Sequence, residues 1–209
     1  MKNLILVRHG ETVFNKKGII PGSKDDPGLS AYGRASCSRL RGLLDDVLCA
    51  DRAVILSSPS RRAMETAYLG CTPGSFISVD RNLREVSVGR NSIRDPLFSE
   101  WHTTLIEDWC RGERLHVSPV GGESGAEVVN RIESVRQRII ASQAATVVVF
   151  SHFALIKVWL SLLVESTDGI ARHRPALLDA CVVRGAGAVA IEWYEHPGDP
   201  RQPDNTHRH

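Results

Sequence analysis

Three short stretches of the chain place phosphate-compatible side chains directly behind an apolar run: Arg8-His9-Gly10 after LILV, Ser58-Pro59-Ser60-Arg61-Arg62-Ala63 after AVILS, and Ser151-His152-Phe153 after TVVVF. An arginine presents a rigid fork of donors that matches phosphate oxygens, and hydrogen bonds to charged groups contribute about 1.5 to 3 kcal/mol each. Two arginines and a histidine around one cavity therefore describe a phosphate site, and a second histidine there is a candidate nucleophile. Flanking cations disfavour imidazolium, so His9 is expected to be neutral, with a nitrogen lone pair available for attack on phosphorus. Gly10 leaves room for a ligand beside the ring. Each piece alone is weak, because a histidine at a strand end is more often structural and an arginine in a first helical turn is usually solvated. Their convergence is what makes a site.

Convergence requires elements that bring the three segments to one edge. The runs NLILV (3 to 7), AVILS (53 to 57) and TVVVF (146 to 150) are rich in Val, Ile and Leu without alternation, the pattern of strands covered on both faces. Each leads into a helical pattern, so the spacing predicts a parallel α/β sheet, whose ligands sit beyond the carboxyl ends of the strands. Leu40, Leu43, Leu44, Val47 and Leu48 share a helical face behind Ser30, a candidate cap upstream. Ser124 with Glu127 forms a capping box ahead of the stripe Val128, Ile132, Val135 and Ile139. Leu155, Val158 and Leu162 repeat the pattern after the third strand. Residues 86 to 122 read as an irregular lid with a short helix carrying Trp101, Leu105 and Trp109, and ACVVR and VAIEWY around GAGA read as a hairpin or an edge-strand pair. The expectation is one domain over 1 to 195 and a polar, flexible tail over 196 to 209.

At 209 residues and 42% hydrophobic, the chain can bury one core. A net charge of +2 with scattered Lys and Arg gives no nucleic-acid footprint. Cys37, Cys49, Cys71, Cys110 and Cys181 have no CxxC or metal-ligand spacing and read as free thiols of a reducing, cytoplasmic compartment. The greasiest run, LIKVWLSLLV, is too short to span a bilayer and contains Lys157.

LVRHGET, SSPSRRAMETA, LREVSVG and SHF, in this order and spacing, resemble the histidine phosphatase superfamily along the whole chain. The resemblance implies a three-layer α/β/α fold with a mostly parallel central sheet, phosphoglycerate mutase-like, and a small irregular lid. It implies that His9 becomes phosphohistidine and that Arg8 and Arg62 clamp the phosphate, Arg62 rather than Arg61 because it directly precedes Ala63. His152 corresponds to the second histidine of the phosphate pocket, Asn15 to an asparagine that touches a phosphate oxygen, and Pro21-Gly22 to a loop whose backbone lines the pocket. Glu85 aligns with the proton donor; a leaving alkoxide needs one, and the same carboxylate can then accept a proton from water. Its alternative is a surface ion pair with Arg81 or Arg84.

Three departures from the family pattern stand out. Phe153 replaces the usual glycine after the second histidine; its backbone N–H can still donate to the phosphate, as a substrate-binding group, while its ring is expected to narrow the pocket. VSVGRNSIRD keeps only Gly89 of the usual continuation after Glu85, which leaves Arg90 or Arg94 to face a second anionic group. Gly121-Gly122-Glu123-Ser124 resembles an element of the phosphatase branch and is also a turn and cap.

Gly185-x-Gly187-x-x-Ala190 imitates a dinucleotide fingerprint but lacks the chain to complete it, and His9-x-Glu11 imitates a zinc deaminase signature without its cysteines. No cofactor and no metal are therefore expected. The expectation is a phosphomonoester hydrolase for a small phosphorylated metabolite, with no nucleic-acid or membrane partner and an edge-strand homodimer compatible with the pattern. A cofactor-dependent phosphoglycerate-type mutase and a non-catalytic phospholigand-binding protein are the alternatives. Trp101, Trp109 and the lid arginines are candidate substrate contacts.

Overall fold

The structure, a computed structural model, describes residues 3–17, 19, 25–48, 53–89, 96–164, 180–184 and 190–194. Gly22 with Pro21, Cys49, Arg90, Arg94, the GAGA segment, the tail, and the side chains of Val47 and Cys181 lie outside the described residues.

The three apolar runs are strands β1 (Asn3–Arg8), β2 (Ala53–Ser57) and β4 (Thr146–Ser151), joined by the short β3 (Ile77–Val79) and by β5 (Ala180–Arg184) and β6 (Ala190–Tyr194). The six strands form one sheet in the order β3-β2-β4-β1-β5-β6. β1, β4, β2 and β3 run parallel, and β5 and β6 return antiparallel beside β1. All six residues of β4 are buried, as its uninterrupted apolar run requires of a central strand.

Successive side chains of these strands point to opposite faces, and the core is accordingly in two parts. Leu6, Val147 and Val149 pack with the helices α4 (Pro96–Cys110), α5 (Gly125–Ala141) and α6 (Phe153–Ser161). Ile5, Val7, Val148 and Phe150 pack on the other face with α2 (Ala31–Leu48) and α3 (Arg61–Gly70). This is the three-layer arrangement implied by the sequence. The helices that follow β1 and β4, neighbours in the sheet, leave to opposite faces, which opens a crevice at their carboxyl ends.

Local signals act as read. Ser30 caps α2 directly, its Oγ accepting from Gly33 N at 3.0 Å, and the Ser124–Glu127 capping box starts α5. Val128, Ile132, Val135 and Ile139 are buried, whereas Leu43 and Leu162 are exposed, because the packed stripe of α2 runs through Leu40 and Leu44 and α6 ends before Leu162. Within the expected lid the helix is longer than read: α4 has 15 residues, and Leu105, Ile106 and Trp109 are buried in the core. The reason lies in α6, which is buried from Ala154 to Ser161 and needs a second covering helix besides the sheet. Trp109 is thus a core residue, its indole donating to Arg114 O, and not a substrate platform. Among the described residues no helix is long and apolar enough to cross a membrane.

Candidate active site

Backbone pairing continues one step past the parallel strands and sets the site. His9 N donates to Ser151 O at 3.1 Å and Ser58 N to Phe150 O at 2.9 Å, so the residues after β1, β2 and β4 emerge side by side. His9 and His152 lie with ring centroids 5.2 Å apart.

His9 is 5% exposed and its Nδ1 is 2.8 Å from Gly10 O. A carbonyl only accepts, so Nδ1 carries the proton and Nε2 of the neutral ring keeps its lone pair. Burial, reinforced by Arg62 and Arg8, holds the His9 imidazolium well below its usual range, against the opposing pull of the Gly10 hydrogen bond. Gly10 is itself tied down: its N–H donates to Thr66 Oγ1 at 2.9 Å, and the Thr66 hydroxyl donates to Arg62 O at 2.7 Å.

His152 is fully buried as the N-cap residue of α6. Its Nε2 meets Ser58 Oγ at 2.7 Å and Ser60 Oγ at 3.2 Å, while Nδ1 has no partner among the described residues. Burial first, then Arg62 and His9, push its protonation well below the usual range. Ser60 is free for this contact because it makes no side-chain cap on α3. Asp26 serves there instead, accepting from Arg61 N at 2.9 Å, and it also faces Arg62 Nη1 at 3.7 Å.

Arg62 is 6% exposed; burial lowers its pKa, and Glu85 and Asp26 oppose that. A guanidinium stays charged even so. Arg61 lies outside the cluster, paired with Glu65 at the surface. Arg8, half-buried at the end of β1, lies over the Phe153 ring at 5.0 Å from its centroid, and Lys157 Nζ lies over the same ring at 5.4 Å. The Phe153 ring packs against the core beneath these cations. Asn15 Oδ1 accepts from Thr12 N and Thr12 Oγ1 in the capping box of the short helix α1 (Val13–Lys16), contacts that use its carbonyl oxygen and not its amide donor.

Glu85 has neither of the arginine partners named as alternatives; Arg84 pairs with Glu123. The Glu85 carboxylate accepts from Val86 N at 2.9 Å and, at the N-terminus of α6, from Leu155 N at 3.2 Å and Ala154 N at 3.4 Å. Helix N-termini favour anions, so this contact anchors the carboxylate to the helix that presents His152. Glu85, Arg62, Ser60, Asp26 and Arg84 line one cavity of about 490 Å³. Among the described residues no group of His, Cys, Asp and Glu side chains could hold a metal ion. Sequence reasoning missed Thr66, Asp26 and the hydrogen-bonding roles of Ser58 and Ser60; the serines and Thr66 lie inside quoted motifs, whereas nothing local marks Asp26.

A neutral imidazole with a free nitrogen, two guanidiniums, a second histidine and a carboxylate at a cavity wall are the parts of a phosphoryl-transfer site. Comparison with known proteins agrees. The family profile "Histidine phosphatase superfamily (branch 1)" matches residues 4–185. A bifunctional protein of Mycobacterium tuberculosis is 30% identical over 177 residues, 80% of this chain and 45% of its own length, so the chain spans less than half of that relative. Phosphoserine phosphatase 1 of Hydrogenobacter thermophilus is 35% identical over 159 residues, covering 73% of this chain and 71% of its own. The structure of a mycobacterial glucosyl-3-phosphoglycerate phosphatase with VO3 superposes with a TM-score of 0.73 at 25% identity, covering 93% of this chain and 96% of that one. On its motifs, its three-layer fold and these matches, the chain belongs to the histidine phosphatase superfamily, branch 1.

Proposed function

We propose that the protein hydrolyses phosphomonoesters of small metabolites in two steps through a phosphohistidine, without a metal ion. His9 Nε2 attacks phosphorus as the P–O bond to the leaving group breaks, and Glu85 gives that oxygen its proton. Water then attacks the phosphohistidine, Glu85 takes a proton from it, and inorganic phosphate and neutral His9 are released. Arg8, Arg62 and His152 hold the phosphoryl oxygens, each such donor being worth about 10²- to 10³-fold in rate. The observation that carries this reading is the Gly10 carbonyl on His9 Nδ1, which leaves the other ring nitrogen as the nucleophile. Arg62 Nε and His152 Nδ1 add to it, since both are buried without a partner among the described residues and a phosphoryl group's oxygens would satisfy them.

The substrate class is supported by the relatives' names, phosphoserine and glucosyl-3-phosphoglycerate being small phosphates. Association of two copies through β6, the last strand of the sheet among the described residues, belongs to the same proposal, and sedimentation reads it. The deciding experiment is a panel of phosphate esters assayed for phosphate release, with His9→Ala as control and acid-labile phosphate on the protein as the trapped intermediate. A wild type no faster than His9→Ala makes the chain a phospholigand binder. With 3-phosphoglycerate and bisphosphoglycerate, isomerisation faster than phosphate release makes it a mutase.

A further inference from the structure

The segment that carries Glu85 belongs to no long strand or helix, so its backbone polar groups must be satisfied from elsewhere. A buried ion pair does most of this. Arg131 of α5 is 7% exposed and Glu123 is 8% exposed. They face each other through two contacts, Arg131 Nε to Glu123 Oε1 at 3.0 Å and Nη2 to Oε2 at 3.2 Å. The remaining guanidinium nitrogen, Nη1, donates to Asn82 O at 2.6 Å and Arg84 O at 2.8 Å. On the other side of Glu85, Ser87 N donates to Glu123 Oε2 and Glu123 N donates to Ser87 O, both at 2.9 Å. Glu85 thus lies between two residues whose backbones are gripped by one ion pair.

Close backbone approach completes the grip. A Cβ on Gly122 would stand 2.4 Å from Ser87 O, and one on Gly89, at φ +75°, would stand 2.1 Å from Val120 O. The 82–89 and 120–123 segments therefore interlock at distances that leave Glu85 little freedom to move along the cavity wall.

We infer that Glu123 and Arg131 are positioning residues for Glu85, holding its carboxylate where it can protonate the leaving oxygen. This rests on the proton-donor role of Glu85 stated above. Protonation matters for a poor leaving group and little for a good one, so the two are separable by substrate. A scaffold role alone lowers all rates together.

The test compares kcat/KM for glycerol phosphate, an alkyl ester, with that for 4-nitrophenyl phosphate, whose leaving group departs without a proton. kcat/KM is the right quantity because it reports phosphorylation of His9 and not the later hydrolysis. Glu85→Gln serves as the benchmark, losing on the order of 10²-fold or more on the alkyl ester and far less on the aryl one. Glu123→Gln and Arg131→Lys are expected to shift the alkyl-to-aryl ratio in the same direction by about tenfold. Equal losses on both esters in these two variants, beside a skewed ratio in Glu85→Gln, overturn the positioning role and leave the Glu85 reading intact. An unskewed ratio in Glu85→Gln itself overturns both. Thermal melting is measured alongside, and failure of both pair variants to fold assigns the pair to scaffold and overturns the inference.

Discussion

The guanidinium of Arg8 rests over the ring of Phe153, 5.0 Å from its centroid. An aromatic face attracts a cation through its quadrupole, so the ring helps to hold Arg8 in place at the end of β1. The residue that departs from the family pattern thus has a definite place.

Phe153→Leu keeps apolar volume and removes the ring. Cation–π contacts contribute about 0.5 to 2 kcal/mol. The inhibition constant for inorganic phosphate should rise between about twofold and thirtyfold, with Phe153→Tyr close to wild type. Equal phosphate affinity in Phe153→Leu and wild type would remove this role for the ring.

Thr66 is fully buried and joins Gly10 N to Arg62 O through one hydroxyl. Thr66→Val keeps the shape and leaves the buried Gly10 N–H without its acceptor, at about 1 to 3 kcal/mol, whereas Arg62 O keeps its bond within α3. Both a lower Tm and a reduced kcat are expected, since the two segments it links carry His9 and Arg62. Thr66→Ser should restore most of each. A Thr66→Val protein with native kcat would separate the hydroxyl from catalysis.

His9 and His152 both have folded pKa values well below 6.5. The unfolded chain takes up those protons near pH 6.5, and the folded chain only at lower pH. Between those two points the unfolded state binds more protons, so stability is full above about pH 6.5 and falls as the solution is acidified. Melting temperatures from about pH 8 to about pH 5 should drop below pH 6.5, and His152→Asn should flatten part of that slope. The acid limb of kcat/KM, set by the free His9, should likewise lie below pH 6.5. A Tm that does not respond to acid over this range would contradict the burial of the two rings.

Burial pushes the thiols of Cys37 and Cys71 up to about 12, and that of Cys110 up as well. Thiolate is the reactive form, so none of the three should be alkylated in the native protein at neutral pH, and all three should react once it is unfolded. Peptide mapping after labelling checks this. Rapid native modification of Cys37 or Cys71 would mean that the helices over that face open readily.

Trp109→Ala should cost about 3 to 5 kcal/mol, as expected for removing a buried indole. Its kcat/KM, measured well below the lowered Tm, should change far less than that of Arg62→Ala. A Trp109→Ala protein of native Tm would place α4 outside the core.

What was legible in the sequence is what is local or periodic. Unbroken apolar runs identified the central strands, the Ser124–Glu127 spacing the start of α5, and the polar residues just past the strand ends the phosphate site, because a parallel sheet delivers all its carboxyl ends to one edge. What only the tertiary structure decided depends on segments far apart in the chain. Glu85 reaches Leu155 N across 70 residues, and Arg131 grips the Glu85 segment from 47 and 49 residues away. Phe153 settles under Arg8, the side-chain carbonyl oxygen of Asn15 goes to its own helix cap, and Trp109 goes into the core. A side chain's type states which partners would satisfy it, but the choice among them is made only when folding brings one within about 3 Å.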